Sequence, residues 1–442
     1  MRYILSSCKN VSGEISVPGD KSISQRAFIL NSIANGRAHV GNICVGDDKA
    51  SVLRCLRSLG VRIVEHSNCR ITNSQECFEV FGKGRFGMSK PVDMIFAGNS
   101  GTAMRLIVGL LAGSPFYSEI TGDDSLVKRP MGRIMKPLSL MGAEILSQNG
   151  NDLPPLLING KSLQGIEYKM PISSAQVKSS LMIAALHSEG KSEITQPSFS
   201  RDHTERMMLS MGADIVQDGL KIIVNPSDLT SKNITVPGDI SSAAFWMVLG
   251  CIHPSSEIKI ANIGINSTRL GIIDVLKSMN ANLILENERE INNEPIADVI
   301  VKSSDLENIE ISGDLVPRII DELPVLALAA CFAKGQTVVK DAEELKFKES
   351  DRISATVEGL SNLGADIIAT EDGFIINGGK KLRGGNCFSY GDHRIAMTMA
   401  IAGIMAEGTT TIIDAEAVDV SYPMFWHTLK IICDSLDLRK NE

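Results

Sequence analysis

Aromatic side chains are scarce in this 442-residue chain, at 5% with 2 Trp and 5 Tyr. Proteins that bind single-stranded nucleic acid stack bases on aromatic rings, and affinity for a polyanion comes mostly from Lys and Arg. Here 44 Lys and Arg stand against 52 Asp and Glu, giving a formal net charge of -8. General nucleic-acid binding is therefore not expected.

Long hydrophobic runs are also missing. The most apolar stretch, residues 395–406, is too short to cross a bilayer. The opening residues, MRYIL, show no long apolar region and no small-residue cleavage site, so no secretory signal is expected. The nine cysteines form no CxxC pair, which favours buried or free thiols in a reducing cytoplasm.

Cofactor motifs are absent as well. The chain contains no HExxH sequence and no Cys/His cluster, so no zinc site is expected. It also lacks the GxxxxGK[ST] and GxGxxG sequences that bind ATP or NAD. We therefore predict neither a metal nor an organic cofactor.

One helical pattern recurs six times in the chain. Each copy is apolar and mostly Ala-rich, opens with a polar residue and, in five cases, closes on Gly, as helices do. The copies are residues 21–36, 99–113, 173–190, 241–252, 321–335 and 391–408. At 43% hydrophobic and 22% charged residues, the composition is that of a globular protein. The length suggests two or three domains.

Each copy is followed by a β-branched strand pattern and, in most repeats, by a second helix with a common ending. That ending is Leu59-Gly60-Val61, Met141-Gly142-Ala143, Met211-Gly212-Ala213, Met279-Asn280-Ala281 and Leu363-Gly364-Ala365. Short strands follow it. The repeat is therefore strand–helix–strand–helix–strand–strand, and the fold class is α/β of the α+β type.

A second repetition divides the chain into halves. The sequence Val-Pro-Gly-Asp at residues 17–20 returns at residues 236–239, each time before a first-type helix. If both turns are crossovers, residues 20–239 form an inserted domain of three repeats, and residues 1–19 with 240–442 form a discontinuous one. The hinge would then lie near 17–20 and 236–239. An ordinary loop is the alternative interpretation of this sequence.

Polar residues concentrate where the first-type helices begin. An N-terminus attracts anions, and Arg, Lys and hydroxyl groups suit phosphate or carboxylate ligands. Three parallel helices in each domain would bring their N-termini to one face, and two opposed faces would make an anion-binding cleft. A cation such as Lys21 opposes the dipole of its own helix, which favours a bound anion. For any single Arg, a solvated surface charge remains the alternative.

Acidic residues suggest proton transfer. Asp321 is either a helix N-cap or a general base beside a cationic pocket. Glu349, next to Lys348, is either a second acid–base group or part of a solvated loop. Asp392 and His393 are interpreted as a cap of the sixth helix, although His393 could equally be an acid catalyst.

Seven sequences, in this order, resemble one enzyme family. They are VPGDKSISQR (17–26), GNSGTAMR (98–105), KRPM (128–131), SAQVKS (174–179), SRDHTER (200–206), KESDRI (348–353) and YGDHRIAM (390–397). The chain is identified by them as a member of the 5-enolpyruvylshikimate-3-phosphate synthase family. The resemblance implies a two-globule inside-out α/β barrel with six βαβαββ repeats, three in each domain.

The resemblance also implies the reaction. The family transfers the carboxyvinyl (enolpyruvyl) group of phosphoenolpyruvate to the 5-hydroxyl of shikimate 3-phosphate and releases phosphate, in the shikimate pathway to chorismate and aromatic amino acids. No cofactor is needed. The expected partners are these small molecules and the inhibitor glyphosate, with no nucleic acid or membrane. The family is mostly monomeric, so a monomer in the cytoplasm is expected, and the lack of a visible transit peptide favours a bacterial enzyme.

Site residues follow from the matching motifs. The resemblance implies catalytic roles for Asp321, Glu349 and Lys21, with either Glu349 or Lys21 as the proton donor to C3. Shikimate 3-phosphate would be held by Lys21, Ser22, Arg26, Ser174, Gln176, Arg201, Asp321 and Lys348. Phosphoenolpyruvate would be held by Lys21, Gly101, Arg129, Gln176, Arg352 and Arg394, and the small Gly101 would leave room for glyphosate.

Two other functions remain open. UDP-N-acetylglucosamine enolpyruvyl transferase shares the fold and the donor, but it typically has a catalytic Cys where this chain has Lys128-Arg129-Pro130-Met131-Gly132-Arg133. A non-catalytic anion-binding module is the second alternative. In either case the acidic net charge describes the outer surface, because local potential at a site can outweigh the total.

Overall fold

The computed structural model describes residues 1–441, which divide into two compact units. The terminal unit contains Met1–Pro18, Gly238–Arg289 and the residues from Pro295 onward. The inserted unit contains Gly19–Pro237 and Glu290–Glu294. In the structure the units therefore change after residues 18 and 237. The boundaries expected from the sequence, after residues 19 and 239, lie one and two residues later. Sequence analysis placed residues 290–294 with 240–442, whereas their contacts assign them to the inserted unit.

The first elements lead into and through the inserted unit. Strands β1 (Arg2–Ser6) and β2 (Asn10–Ile15) precede it. Its helices are α1 (Lys21–Ser32), α2 (Asp47–Ser58), α3 (Gly101–Ala112), α4 (Gly132–Leu140), α5 (Ala175–Leu186) and α6 (His203–Ser210). Its strands are β3 (Ala34–Asn35), β4 (Arg37–Gly41), β5 (Arg62–Cys69), β6 (Ser74–Phe81), β7 (Ile95–Phe96), β8 (Tyr117–Thr121), β9 (Glu144–Ser147), β10 (Leu156–Asn159), β11 (Leu163–Gln164), β12 (Glu167–Lys169), β13 (Ser188–Glu189), β14 (Ser192–Thr195), β15 (Ile215–Asp218), β16 (Lys221–Val224), β17 (Leu229–Thr230) and β18 (Ile234–Thr235).

The terminal unit contains the remaining elements. Its helices are α7 (Ile240–Ile252), α8 (Gly271–Ser278), α9 (Val316–Ile319), α10 (Leu323–Cys331), α11 (Arg352–Asn362), α12 (His393–Met405) and α13 (Phe425–Ile432). Its strands are β19 (Ser256–Gly264), β20 (Asn282–Ile291), β21 (Glu294–Lys302), β22 (Glu310–Ile311), β23 (Gln336–Val339), β24 (Asp366–Ala369), β25 (Phe374–Asn377), β26 (Asn386–Phe388), β27 (Thr409–Ile413), β28 (Cys433–Asp434) and β29 (Leu438–Asn441). Short 3-10 turns lie at Leu126–Lys128, Gly313–Leu315, Glu343–Phe347 and Ala415–Val420.

Six larger sheets share one plan. In strand order they are β18-β4-β6-β5, β7-β8-β10-β9 and β12-β14-β16-β15 in the inserted unit, and β20-β21-β19-β2-β28, β22-β23-β25-β24 and β26-β27-β1-β29 in the terminal unit. Each contains one parallel pair, such as β7 with β8, and antiparallel neighbours beyond it. Parallel neighbours need a crossover helix and antiparallel ones only a turn. The predicted α/β class with six βαβαββ repeats is confirmed.

The strands that lead into α1 and α7 lie in exchanged positions. Strand β2 precedes α1, yet it pairs in parallel with β19 of the terminal unit. Strand β18 precedes α7, yet it pairs in parallel with β4 of the inserted unit. Strand β1 completes the last sheet of the terminal unit by pairing with β27 and β29. The N-terminal strands therefore return to the unit formed by the later part of the chain.

The two Val-Pro-Gly-Asp turns are fixed by hydrogen bonds within each unit. The Asp20 N–H donates to the Pro237 carbonyl at 2.8 Å, and the Asp239 N–H donates to the Pro18 carbonyl at 2.9 Å. A Cβ at residue 19 would lie 1.8 Å from the Asn42 carbonyl oxygen, so only Gly fits there. The turns are thus tightly determined, and their role as a hinge stays a prediction.

The first-type helices are buried, as their composition predicts. All 13 residues of α7 are buried, and the two units have separate apolar cores. Burying a large aliphatic side chain contributes roughly 1.5–3 kcal/mol. The shared ending of the second-type helices has a backbone cause, because residues 60, 142, 212, 280 and 364 all adopt positive φ. Gly adopts that conformation freely and Asn tolerates it, which explains Asn280.

No helix within residues 1–441 has the length and apolar character needed to span a membrane.

Candidate anion-binding and acid–base sites

Three helix N-termini converge in the inserted unit. Asp20, Ser100 and Ser174 cap helices α1, α3 and α5, each accepting a hydrogen bond from a backbone N–H of the first turn. The polar side chains of these first turns contact one another, as the following paragraphs describe. The predicted convergence of helix N-termini therefore holds within this unit.

Asp48, in the first turn of α2, joins the starts of α1 and α3. Its carboxylate accepts hydrogen bonds from Ser100 Oγ at 2.6 Å and from Gln25 Nε2 at 3.0 Å. Its other oxygen lies 3.2 Å from Lys21 Nζ. The argument that Lys21 needs a bound anion is weakened by this contact, because Asp48 already supplies a negative partner. Sequence analysis missed Asp48.

Arg26 is buried, and its side chain donates hydrogen bonds to neutral groups that connect α1 with α5 and α6. Its Nε donates to Thr204 Oγ1 at 2.7 Å, and its Nη2 donates to Ser179 Oγ at 2.9 Å. Its Nη1 donates to the carbonyl of Ser22 at 2.9 Å. Burial lowers the pKa of Arg26 to about 10; the carboxylates of Glu205 and Asp20 oppose this effect, and the charge of Arg201 adds to it. Arg26 thus remains a cation at neutral pH.

A second set of polar contacts connects α3 with α5. Arg105 Nη1 donates to Gln176 Oε1 at 2.7 Å, and Gln176 Nε2 donates to Thr102 Oγ1 at 2.8 Å. A Cβ on Gly101 would lie 2.9 Å from Arg105 Nη1 and 3.5 Å from Arg129 Nη1. The missing side chain at residue 101 therefore leaves space beside two guanidinium groups. Arg105, the last residue of the GNSGTAMR sequence, was not selected as a site residue.

Arg129 lies at the other side of this space. Its Nη2 donates to Asn99 Oδ1 at 2.7 Å and to Ser125 Oγ at 3.2 Å. Both partners are neutral, so these contacts orient the guanidinium without cancelling its charge. Such a cation suits a phosphate or carboxylate ligand.

Arg352 is the centre of the corresponding set in the terminal unit. Its Nε donates to Asp392 Oδ2 at 2.7 Å, its Nη2 to Glu349 Oε2 at 2.6 Å, and its Nη1 to Asp321 Oδ1 at 3.4 Å. The Arg352 side chain is 1% exposed and that of Asp392 is fully buried. One guanidinium thus joins both acids that the sequence proposed for proton transfer, Asp321 and Glu349.

The electrostatics of this set favour the ionised forms. Burial opposes the charge on Arg352, but the carboxylates of Asp392, Glu349 and Asp321 outweigh it and raise the pKa of the guanidinium above its ordinary value. Burial likewise raises the pKa of Asp392, while Arg352 and His393 outweigh that effect and hold it below its ordinary value. The buried pair therefore stays charged.

The interpretation of Asp321 as a helix cap is wrong. Helix α10 begins at Leu323 behind Glu322, and no side chain caps it. Asp321 instead faces cations, with Lys348 Nζ 3.7 Å from its Oδ1, while Arg394 Nη1 donates to its backbone carbonyl at 3.1 Å. The alternative reading, an acid beside cations, fits these contacts. Asp392, by contrast, caps α12 as predicted, accepting from the Arg394 N–H at 2.9 Å.

A further buried polar set in the terminal unit was not predicted. Arg269 Nη2 donates to Ser241 Oγ at 2.6 Å and lies 3.4 Å from Asp239 Oδ1. The Ser241 hydroxyl in turn donates to Glu322. Asp239 and Ser241 lie at the start of α7, just as Asp20 lies at the start of α1. The repeated Val-Pro-Gly-Asp sequence could therefore have indicated this polar set.

The fold and these sites define the class of this protein. It is a six-repeat α/β protein in which cations, hydroxyl groups and carboxylates collect at helix N-termini. A family model described as EPSP synthase (3-phosphoshikimate 1-carboxyvinyltransferase) matches residues 5–429. The chain belongs to the EPSP synthase family, which confirms the resemblance seen in its motifs.

Similar proteins cover nearly the whole chain. A 3-phosphoshikimate 1-carboxyvinyltransferase of Thermoanaerobacter sp. (strain X514) is 50% identical over 421 residues, which are 95% of this chain and 97% of that protein. The enzyme of the same name from Geotalea uraniireducens (strain Rf4) is 47% identical over 423 residues, 96% of this chain and 97% of the relative. Among solved structures, EPSP synthase from Acinetobacter baumannii has a TM-score of 0.89 at 41% identity and full coverage of both chains.

Proposed function

We propose that this chain is a 3-phosphoshikimate 1-carboxyvinyltransferase. It transfers the enolpyruvyl group of phosphoenolpyruvate to the 5-hydroxyl of shikimate 3-phosphate, giving 5-enolpyruvylshikimate 3-phosphate and phosphate. The observation that supports this most is the Arg352 set, in which one cation orients two carboxylates, within a chain that matches the EPSP synthase family over residues 5–429. The reaction belongs to the shikimate pathway toward chorismate and aromatic amino acids.

The chemistry requires two proton movements. The 5-hydroxyl loses a proton as its oxygen bonds to C2 of phosphoenolpyruvate, and C3 gains a proton, giving a tetrahedral adduct. The adduct then loses phosphate and a proton from C3, which restores the double bond. A base and an acid near the reacting atoms accelerate such steps by roughly 10²–10⁴-fold. Asp321 takes the base role and Glu349 the acid role in this proposal, with Lys21 as the competing donor to C3.

Shikimate 3-phosphate is held by Lys21, Ser22, Arg26, Ser174, Gln176, Arg201, Asp321 and Lys348 in this proposal. In support, Arg26 stays charged, and its side-chain hydrogen-bond partners Thr204 and Ser179 are neutral. A guanidinium that is held by neutral groups suits a phosphate dianion. Ser174 caps α5, whose N-terminus also favours an anion.

Phosphoenolpyruvate is held by Lys21, Gly101, Arg129, Gln176, Arg352 and Arg394. The space at Gly101 beside the Arg105 and Arg129 guanidinium groups supports this, because it admits a small anion next to fixed cations. Glyphosate, itself a small multiply charged anion, is proposed to compete there. A monomeric state and a cytoplasmic location complete the proposal.

A phosphate-release assay tests the activity. Purified protein is incubated with both substrates, and each is omitted in turn; release is expected only with both present. UDP-N-acetylglucosamine replaces shikimate 3-phosphate in a parallel reaction, and turnover there would support the related transferase instead. Absence of turnover with every acceptor, together with measurable binding of shikimate 3-phosphate, would support the non-catalytic module.

Asp321→Asn separates catalysis from binding. It keeps the size of the side chain but removes the base, so turnover is expected to fall about 10²–10⁴-fold while shikimate 3-phosphate still binds. Asp314→Asn is the matched control, because Asp314 is an exposed carboxylate of the same unit. Wild-type turnover in Asp321→Asn would remove Asp321 from the mechanism.

A further inference from the structure

Three metal-ligating side chains meet on one sheet of the inserted unit, outside the sites described above. His39 lies on β4, His66 on β5 and Glu79 on β6. One donor atom of each lies within 4.8 Å of the other two. We propose that this triad binds a divalent transition-metal ion of the Zn²⁺ type, contrary to the expectation from the sequence, which has no metal-binding motif. This site is independent of the proposed transferase activity.

The strand register places the three side chains on the same face. His39 on β4 is directly opposite Glu79 on β6. His66 on β5 is opposite Cys77, which lies two residues from Glu79 on the same strand. Because side chains alternate along a strand, residues two apart share a face. The antiparallel ladder therefore fixes the three Cβ positions.

The opposite face of this sheet is part of the core. Ala38 and Val40, which flank His39, are fully buried, and so are Phe78 and Val80, which flank Glu79. The outer face is accessible, with 41% of the His66 side chain and 12% of the Glu79 side chain exposed. A rigid backbone with accessible side chains is what a surface metal site requires.

The present contacts are close to those of a metal site. His66 Nε2 lies 3.3 Å from Glu79 Oε2, and the ring centroids of His39 and His66 are 5.8 Å apart. Zinc lies about 2.0–2.2 Å from nitrogen and oxygen ligands, so tetrahedral ligands are about 3.3 Å apart. His66 Nε2 and Glu79 Oε2 are thus already at the spacing of two tetrahedral ligands.

The donor set favours some metals over others. Two imidazoles and one carboxylate, with further positions left to water, bind zinc and non-haem iron in known proteins. Imidazole suits Zn²⁺, Cu²⁺ and Ni²⁺, whereas Mg²⁺ and Ca²⁺ prefer oxygen ligands. We therefore expect Zn²⁺ to bind and Mg²⁺ to fail to compete with it.

Arg37 is the natural competitor for Glu79. Its Nη1 lies 3.3 Å from Glu79 Oε1, and its side chain is 71% exposed. Such an exposed ion pair contributes little and separates easily. A bound metal would replace Arg37 as the partner of this carboxylate, and removal of Arg37 should therefore strengthen metal binding.

Calorimetric titration of metal-depleted, full-length protein with ZnCl₂ tests the site. One Zn²⁺ per chain is expected. His66→Ala and His39→Ala should each weaken binding about tenfold or more, at least the loss seen when a supporting contact of a metal ligand is removed. His427→Ala is the matched control, because His427 is an exposed histidine of the terminal unit, and its affinity should equal that of the wild type.

Two further measurements, a Co²⁺ spectrum and the Zn²⁺ affinity of an Arg37 variant, test whether the metal binds at this triad. The spectrum of the Co²⁺-loaded protein should lack thiolate-to-cobalt charge-transfer bands, whereas their presence would place the metal on cysteines and overturn the proposal. Arg37→Ala should bind Zn²⁺ several-fold more tightly, which gives a test even if a His variant folds poorly. No binding by the wild type, or equal affinity in His66→Ala, would also overturn it. None of these readouts depends on turnover.

Discussion

Arg26 and Arg129 of the inserted unit are held differently from Arg352 of the terminal unit. In the inserted unit, Arg26 donates to hydroxyl and carbonyl oxygens, and Arg129 donates to an amide and a hydroxyl. In the terminal unit, Arg352 donates to three carboxylates. Arg26 lies on the buried helix α1, Arg129 precedes α4, and Arg352 is the first residue of α11. The same repeat therefore supports two electrostatic arrangements.

This difference suggests a division of tasks. Neutral acceptors orient a cation and leave its charge for a ligand, which suits anion binding. Carboxylates compensate the cation and are themselves fixed by it, which suits acid–base groups whose position and ionisation must be controlled. On this comparison, the inserted unit mainly contributes binding and the terminal unit mainly contributes proton transfer.

The largest expected effect is on turnover, from Glu349→Gln in the terminal unit. Loss of the carboxylate should lower kcat by about 10²–10⁴-fold, with little change in the KM for shikimate 3-phosphate, because Arg352 keeps Asp392 and Asp321. Lys21→Met should instead raise both KM values, because Lys21 belongs to the binding unit. Steady-state phosphate release measures both.

Glu344→Gln is the control for this comparison, because Glu344 is an exposed carboxylate of the same region that contacts Lys348. If Lys21→Met abolished turnover while Glu349→Gln retained it, proton delivery would belong to Lys21, and the proposed division between the units would be reversed.

A large effect on stability is expected from Asp392→Asn. Removing one partner of a buried ion pair costs about 3–5 kcal/mol of unfolding free energy. Urea denaturation followed by Trp fluorescence measures this selectively, because both tryptophans, Trp246 and Trp426, lie in the terminal unit. Asp314→Asn should leave the midpoint unchanged.

The same variant has a predicted pH signature. The pKa of Asp392 is lower in the folded protein than the ordinary value of about 3.9. Its stabilising contribution is therefore complete above about pH 4 and is lost as the pH falls through the lower folded value. The wild type should lose stability in that acidic range more steeply than Asp392→Asn, and parallel pH profiles would contradict this account.

A smaller loss is expected from Thr204→Val in the inserted unit. Valine keeps the shape but removes the acceptor of Arg26 Nε, and an unsatisfied buried donor costs about 1–3 kcal/mol. Thermal denaturation followed by circular dichroism measures the loss, with the exposed Thr230→Val as control. A loss as large as that of Asp392→Asn would erase the contrast between neutral and ionic partners.

The smallest effect is expected from Gly101→Ala. The added methyl would displace Arg105 Nη1, which lies 2.9 Å from the Cβ position. The KM for phosphoenolpyruvate is expected to rise about tenfold, which corresponds to about 1.4 kcal/mol. Inhibition by glyphosate should weaken as well. Stability should change little, because only the end of a flexible side chain moves. An unchanged KM would separate Gly101 from the phosphoenolpyruvate site.

Local features were predictable from the sequence because their causes are local. The six buried helices follow from apolar composition between polar caps and glycines. The recurring Gly or Asn after each second-type helix follows from the positive φ at residues such as Gly60 and Asn280. Asp392 was recognised as a cap for the same reason, since its partner is the N–H of Arg394, two residues away.

The partners of the site residues were not predictable in this way. Arg26 and Thr204 are 178 residues apart in sequence, and Arg352 and Asp392 are 40 apart. Asp321 looked like a cap because it precedes an apolar helix, yet its partners Lys348 and Arg352 lie beyond that helix and the strand that follows it. Only folding brings such groups together, so sequence alone could name the cations without their partners.

The sequence by itself determined the repeat, the burial of its helices and the residues at their N-termini, because helix periodicity and backbone conformation depend on near neighbours. The tertiary structure alone decided three other things. It made the two Val-Pro-Gly-Asp turns crossovers rather than ordinary loops, gave Arg26 neutral hydrogen-bond partners and Arg352 acidic ones, and brought His39, His66 and Glu79 onto one face. Each depends on strand register and helix packing between distant segments, which no local pattern specifies.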